Sequence, residues 1–162
     1  MAIIRIAPGE VAVGNTDDEL RTLLGSCVAI TLWDPQRRVG AMCHVTLPSH
    51  PGIRRIDAPD TRYAEGAWAA MRKGLVKHGI DPAACACKLF GGAQVYRHAR
   101  AVVGQRNLEA VAELLATEDV RVTSQHVAGT GYRELRFVIA SGDVWVRHRT
   151  GLVDLGLIGE TQ

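Results

Sequence analysis

Two kinds of hydrophobic pattern alternate along this chain. Residues 28–33, Val-Ala-Ile-Thr-Leu-Trp, form an almost unbroken run of strand formers, and residues 39–47 resume it after Asp34-Pro35-Gln36-Arg37-Arg38. Asp and Pro are turn residues, so the spacing predicts an antiparallel hairpin. Upstream, Pro8-Gly9 and the stretch Gly14 to Asp18 separate short strands rich in Val and Ile. The second pattern is helical. Ala64, Trp68, Met71 and Leu75 step by four, three and four, which places them on one face of a helix over about 61–78, capped by Asp60 and closed by Gly79. A second helix is expected from an Asn107 cap to about 116, with Leu108, Val111 and Leu115 on its buried side. Further strands are predicted over 84–90, running into Gly91-Gly92, and near 120–127, 135–140 and 144–148. The last two are joined at Gly142-Asp143, a pair suited to a tight hairpin. Residues 49–61 contain Pro51, Gly52 and Pro59 and read as a long surface loop. With no internal repeat or linker, the chain reads as one α/β domain over residues 1–162. Two helices are too few for the crossovers of a doubly wound sheet, so a mixed sheet is expected.

Composition narrows the class. A chain of 162 residues, 47% hydrophobic and 22% charged, can bury a core of its own. A formal net charge of +2 is too small to argue for nucleic acid or an anionic membrane. The start lacks a basic region followed by an apolar segment, and no run approaches the ~20 apolar residues of a membrane helix. A soluble, cytoplasmic protein is expected. Cys27, Cys43, Cys85 and Cys87 suit that compartment as reduced thiols, and Cys85 and Cys87 as small buried hydrophobes. Their Cys-x-Cys spacing is not a common zinc pattern, and nothing in the sequence requires a metal or organic cofactor.

The chemistry concentrates in Leu23-Leu24-Gly25-Ser26-Cys27 and in His44, which the predicted hairpin returns to the same end. If Trp33 pairs with Gly40, Cys27 and His44 share one face as diagonal neighbours, while Cys43 points the other way; a slip of one residue would separate them. A thiol beside an imidazole can lose its proton to it, and the expected resting state is an ion pair. Gly25 and Ser26 turn the chain and leave backbone amides to face an oxyanion, and a nearby hydroxyl, for which Thr22 is the choice, would fix the imidazole tautomer. A structural cysteine with an unrelated surface histidine is the bland alternative. Gly91-Gly92 lacks the Gly-Lys-Ser/Thr of a phosphate loop and reads as a turn. Arg97, His98, Arg100 and Arg106 read as a solvated basic face that could meet an acidic surface.

A resemblance shifts the balance. Thr22 to Ala29, Asp34-Pro35, Gly40-Ala41-Met42, His44 to Pro48, Ala86 to Ala93, Val103 to Asn107, Gly129 to Arg133 and Ser141-Gly142 together resemble the CheD family of chemoreceptor glutamine deamidases. The resemblance implies a bacterial or archaeal chemotaxis enzyme that converts receptor glutamines to glutamates through a cysteine thioester. It implies a mixed β-sandwich flanked by helices, similar to the toxin-type glutamine deamidase fold. The family nucleophile falls on Cys27, its histidine on His44 and its threonine on Thr22. The implied partners are chemoreceptors as substrates and a CheC-type response-regulator phosphatase. Regulatory binding to that phosphatase and receptor methylesterase activity are the alternative functions.

Overall fold

The structure is a computed structural model that describes residues 1–48, 60–97 and 102–153. Residues 49–59 of the loop expected over 49–61, and the basic residues His98 and Arg100, lie outside the described residues. Among the described residues, nine strands form two sheets. The four-stranded sheet runs β1 (Ala2–Arg5), β3 (Asp18–Leu24), β8 (Tyr132–Val138), β9 (Val144–Arg149). The five-stranded sheet runs β2 (Val11–Gly14), β5 (Val39–Cys43), β4 (Val28–Asp34), β6 (Ala86–Gly91), β7 (Val122–Val127). The β1–β3 and β6–β7 pairs are parallel and the rest antiparallel, so both sheets are mixed, as the shortage of helices implied.

Burial explains the two strand patterns. In β3 and β8 the residues Leu20, Leu24, Leu135 and Phe137 face inward between Arg21, Glu134 and Arg136, the alternation of a sheet covered on one side. By contrast β4 and β5 are apolar at almost every position because both of their faces are covered. On one face lie Ala29, Met42 and Phe90, packed against Leu20, Leu24 and Phe137 of the other sheet. On the other lie Val28, Ile30, Leu32 and Cys43, packed against Trp68, Met71 and Leu75 of helix α1 (Ala64–Val76) and Val111 and Leu115 of helix α2 (Val103–Thr117). The order is therefore bare sheet, inner core, second sheet, outer core, helices.

Several boundaries differ from the sequence expectation, each for a local reason. The strand β3 was not anticipated. Helix α1 starts three residues later than expected: Tyr63 occupies its N-cap, and the Asp60 carboxylate receives the backbone N–H and guanidinium of Arg62. Residues 82–84 are a 3₁₀ turn capped by Asp81, which delays β6 to Ala86. Helix α2 begins at Val103, so Asn107 is an interior residue and not its cap. A Cβ at Gly104 would lie 2.5 Å from the carbonyl oxygens of Gly92 and Ala93, so the helix can start against that turn only with glycine there.

Candidate active site

The hairpin register is the one that pairs Trp33 with Gly40, and it carries on past the strand ends to a Val28–Val45 bridge closed by two backbone hydrogen bonds of 3.0 and 2.8 Å. Cys27 and His44 each sit one residue before a member of that bridge. They are diagonal neighbours on the face that looks toward the four-stranded sheet, where Cys27 packs against the inner core. Cys43 points into the outer core, as the alternation requires, and burial there pushes its thiol up to about 12. Cys85 and Cys87 join the same core, pushed up to about 11 and about 12.

Cys27 lies where the chain crosses from β3 in one sheet to β4 in the other. Its carbonyl accepts the Gly92 N–H at 2.8 Å, and the Gly25 carbonyl accepts the Ala93 N–H at 3.1 Å. Gly91 and Gly92, both at positive φ, thus form the turn that cradles the cysteine; a Cβ on Gly91 would lie 2.2 Å from the Cys27 oxygen. The backbone amides of Ser26 and Cys27 donate to no described residue. His44 is 2% exposed, and its backbone is tied on the opposite side, its N–H to Glu10 O at 3.1 Å and its carbonyl to Gly9 N–H at 2.9 Å.

Thr22 reaches His44 from the other sheet. Its Oγ1 lies 2.7 Å from His44 Nδ1 and 2.7 Å from the Ile6 carbonyl oxygen. A hydroxyl has one proton, and the carbonyl can only accept. That proton therefore goes to Ile6, Nδ1–H donates to the hydroxyl, and Nε2 is left with its lone pair. The contact thus selects the tautomer whose free nitrogen can take a proton. Burial lowers the His44 pKa to about 4 and raises that of the Cys27 thiol. Both shifts favour neutral forms. Burial thus works against the thiolate–imidazolium pair expected from adjacency and favours a proton transfer that accompanies attack.

A cleft of about 470 Å³ opens at Ser26, the residue before the cysteine, bounded also by the 92–96 segment, the first turns of α2 and Gly129; Cys27 and His44 do not themselves line it. Behind the turn stands Asn107 of α2, fully buried, its Nδ2 donating to Ser26 O at 3.1 Å and to Thr46 O at 3.3 Å. Sequence reasoning read this residue as a helix cap; the strand-end carbonyls it reaches are more than sixty residues away in sequence, and no local pattern reports them.

Residues 46–148 match the family described as CheD chemotactic sensory transduction. The chain belongs to the CheD family. Curated relatives span more of it. A protein of Albidiferax ferrireducens named "Probable chemoreceptor glutamine deamidase CheD 2" is 40% identical over 146 residues, covering 88% of this chain and 84% of its own. A Pseudomonas savastanoi pv. phaseolicola protein named "Probable chemoreceptor glutamine deamidase CheD" is 39% identical over 154 residues, covering 92% and 86%. One of the same name from Symbiobacterium thermophilum is 36% identical over 144 residues, covering 85% and 87%. The CheD family match takes in Gly91, Gly92 and Asn107 but begins just after His44. Thr22, Cys27 and His44 therefore stand on their geometry. No helix among the described residues is long and apolar enough to cross a membrane.

Proposed function

We propose that this CheD-family chain is a cysteine-dependent chemoreceptor glutamine deamidase. The relatives' names supply the substrate class, and one observation carries the assignment of residues: the Thr22 hydroxyl, committed to Ile6, leaves His44 Nε2 as a free base on the face it shares with Cys27. A receptor segment lies in the cleft beside Ser26 and presents a glutamine side chain to the cysteine. As the sulfur attacks the amide carbon, the thiol proton moves to His44 Nε2. The developing oxyanion meets the amides of Ser26 and Cys27; one such donor is worth on the order of 3 kcal/mol of barrier. His44 then protonates the nitrogen, the C–N bond breaks, and ammonia leaves a thioester on Cys27. Water attacks that thioester, giving its proton to His44 and oxygen to the acyl group. Glutamate departs as His44 returns the proton to sulfur. No step needs a metal or organic cofactor.

In this reading the two-sheet frame is a single domain of the toxin-type glutamine deamidase kind and works in the cytoplasm. Supporting it is the position of the cysteine at the entry to a strand with the base on the neighbouring one. The test is intact-mass analysis of a receptor cytoplasmic fragment incubated with wild-type and Cys27→Ala protein. A gain of about 1 Da per modified site, absent with the variant, is expected for amide-to-acid conversion. Loss of about 14 Da from methylated receptor would make the chain a methylesterase instead. No mass change with folded protein, together with binding to a CheC-type phosphatase, would make it an adaptor.

A further inference from the structure

We propose that Asn107 is a positioning residue that closes the open end of the β4–β5 ladder and so fixes the nucleophile turn relative to the strand end that carries the base. This rests on the reading of Cys27 and His44 given above.

The last hydrogen-bonded pair of that ladder is Val28–Val45. Beyond it the register would set Cys27 opposite Thr46, but no described ladder bond holds them, and two strand ends without such bonds are free to splay. The Asn107 amide group spans this gap. One of its N–H groups goes to Ser26, immediately before the nucleophile, and the other to Thr46, two residues after the base. A planar NH₂ with both protons engaged sets the separation of the two carbonyls it binds. Gly92 N–H holds the Cys27 carbonyl from the other side. The cysteine backbone is thus fixed on both flanks.

The residue type also needs explaining. Asparagine is an unfavourable choice within a helix, and Asn107 is the fifth residue of α2 and fully buried. The other described residues buried along this helix are Gly104, Val111 and Leu115. Its Oδ1 has no partner among the described residues, so the side chain carries the cost of a buried, unmatched acceptor. Filling space would not call for an amide here. Its two donors are what an apolar residue could not supply.

The experiment compares Asn107→Ala and Asn107→Asp with Leu115→Ala, a core substitution two turns further along the same helix that loosens α2 without touching the site. Asp keeps the shape but turns an oxygen toward two carbonyl oxygens. Two readouts are taken well below each melting temperature: kcat for glutamine deamidation, and the pH profile of Cys27 alkylation by iodoacetamide, followed at its own peptide. Both Asn107 variants are expected to lose kcat on the order of 10²-fold with KM changed less than about threefold, since an ångström of misplacement costs that much. Their alkylation should lose the imidazole-assisted rate below pH 8 and follow simple thiol ionisation, while Leu115→Ala keeps the wild-type profile. Wild-type profiles and kcat in the Asn107 variants would overturn the proposal. So would equal losses in Leu115→Ala, or failure of both Asn107 variants to fold, which would make the residue a fold anchor. The alkylation arm uses no glutamine substrate, so it decides the role of Asn107 even if the wild-type protein releases no ammonia and the deamidase reading falls.

Discussion

Replacing Thr22 by valine removes one hydroxyl and almost no volume, so the result reads the hydrogen bonds alone. In the folded protein that hydroxyl satisfies two buried partners, the Ile6 carbonyl and His44 Nδ1–H, each at 2.7 Å. Valine leaves both without a partner. At about 1–3 kcal/mol for each of the two buried groups so stranded, the expected loss of stability is about 2–6 kcal/mol. The effect on rate comes from the tautomer. With the hydroxyl present, Nδ1–H has an acceptor and Nε2 is the base. Without it the protein no longer rewards that form, and a buried Nδ1–H left stranded at a cost of about 1–3 kcal/mol corresponds to a roughly five- to hundredfold smaller share of the active tautomer. The kcat for ammonia release should fall by that factor, with KM little changed, and Thr22→Ser, which keeps the hydroxyl, should stay within about threefold of wild type. Denaturant melts give the stability difference, and ammonia release at saturating peptide gives kcat. A Thr22→Val protein that loses the stability but keeps kcat within twofold would show that the hydroxyl supports the fold and does not govern the base.

Three further outcomes are expected. Cys27→Ser should fold with wild-type stability and lose more than about a thousandfold in turnover, because a hydroxyl is a far weaker nucleophile toward a neutral imidazole than a thiol; the check is ammonia release beside a denaturant melt. The pH dependence of stability should show His44: the unfolded chain takes a proton near pH 6.5 while the folded chain refuses it until about 4, so stability is complete above 6.5 and falls as pH drops through that window, by about 3 kcal/mol in all. Denaturant melts from pH 8 to 4 should show this slope in the wild type and a flatter one in His44→Asn. Gly91→Ala should cost about 2–4 kcal/mol and most of the activity, since φ is +101° there and the new Cβ would press on the Cys27 carbonyl; full activity in a folded Gly91→Ala protein would remove that turn from the site.

What could be read in advance was whatever local chemistry controls. Asp34-Pro35 marks the hairpin turn and Cys43 faces away from His44 in any strand, but the register stayed open, and the Trp33–Gly40 pairing of the structure is what gives Cys27 and His44 a shared face. The four-three-four spacing located α1, and Gly142-Asp143 the β8–β9 hairpin. Misses occurred where tertiary packing overrides local preference. Strand β3 opens on Asp18 and Glu19, which are disfavoured in strands, and follows a turn-rich stretch, which masks the inward alternation of Leu20, Thr22 and Leu24. Helix α2 starts on Val103-Gly104, poor helix formers whose start is set by the packing of Gly104 against the Gly92–Ala93 turn, and this shifted Asn107 from cap to interior. The balance of charge in the Cys27–His44 pair also depends on packing. Adjacency suggests an ion pair, whereas burial, which the sequence does not report, shifts each group toward its neutral form.

The placement of the three side chains couples activity to packing between the sheets. Thr22 belongs to the four-stranded sheet, whereas Cys27 and His44 flank the central hairpin of the other. The Thr22–His44 contact is thus a hydrogen bond between layers, and its 2.7 Å length depends on the thickness of the inner core formed by Leu20, Leu24, Phe90 and Phe137. Side-chain packing of this kind is close to crystalline and resists compression, so the sheets act as fixed jaws. From the helix side Asn107 reaches the same two strand ends. The base is oriented across one core and the nucleophile turn is braced across the other. A neutral thiol–imidazole pair gains nothing from long-range attraction, so it must be aligned by such contacts if the proton is to move as the sulfur attacks. Both cores therefore serve the chemistry, although neither contributes a reacting atom.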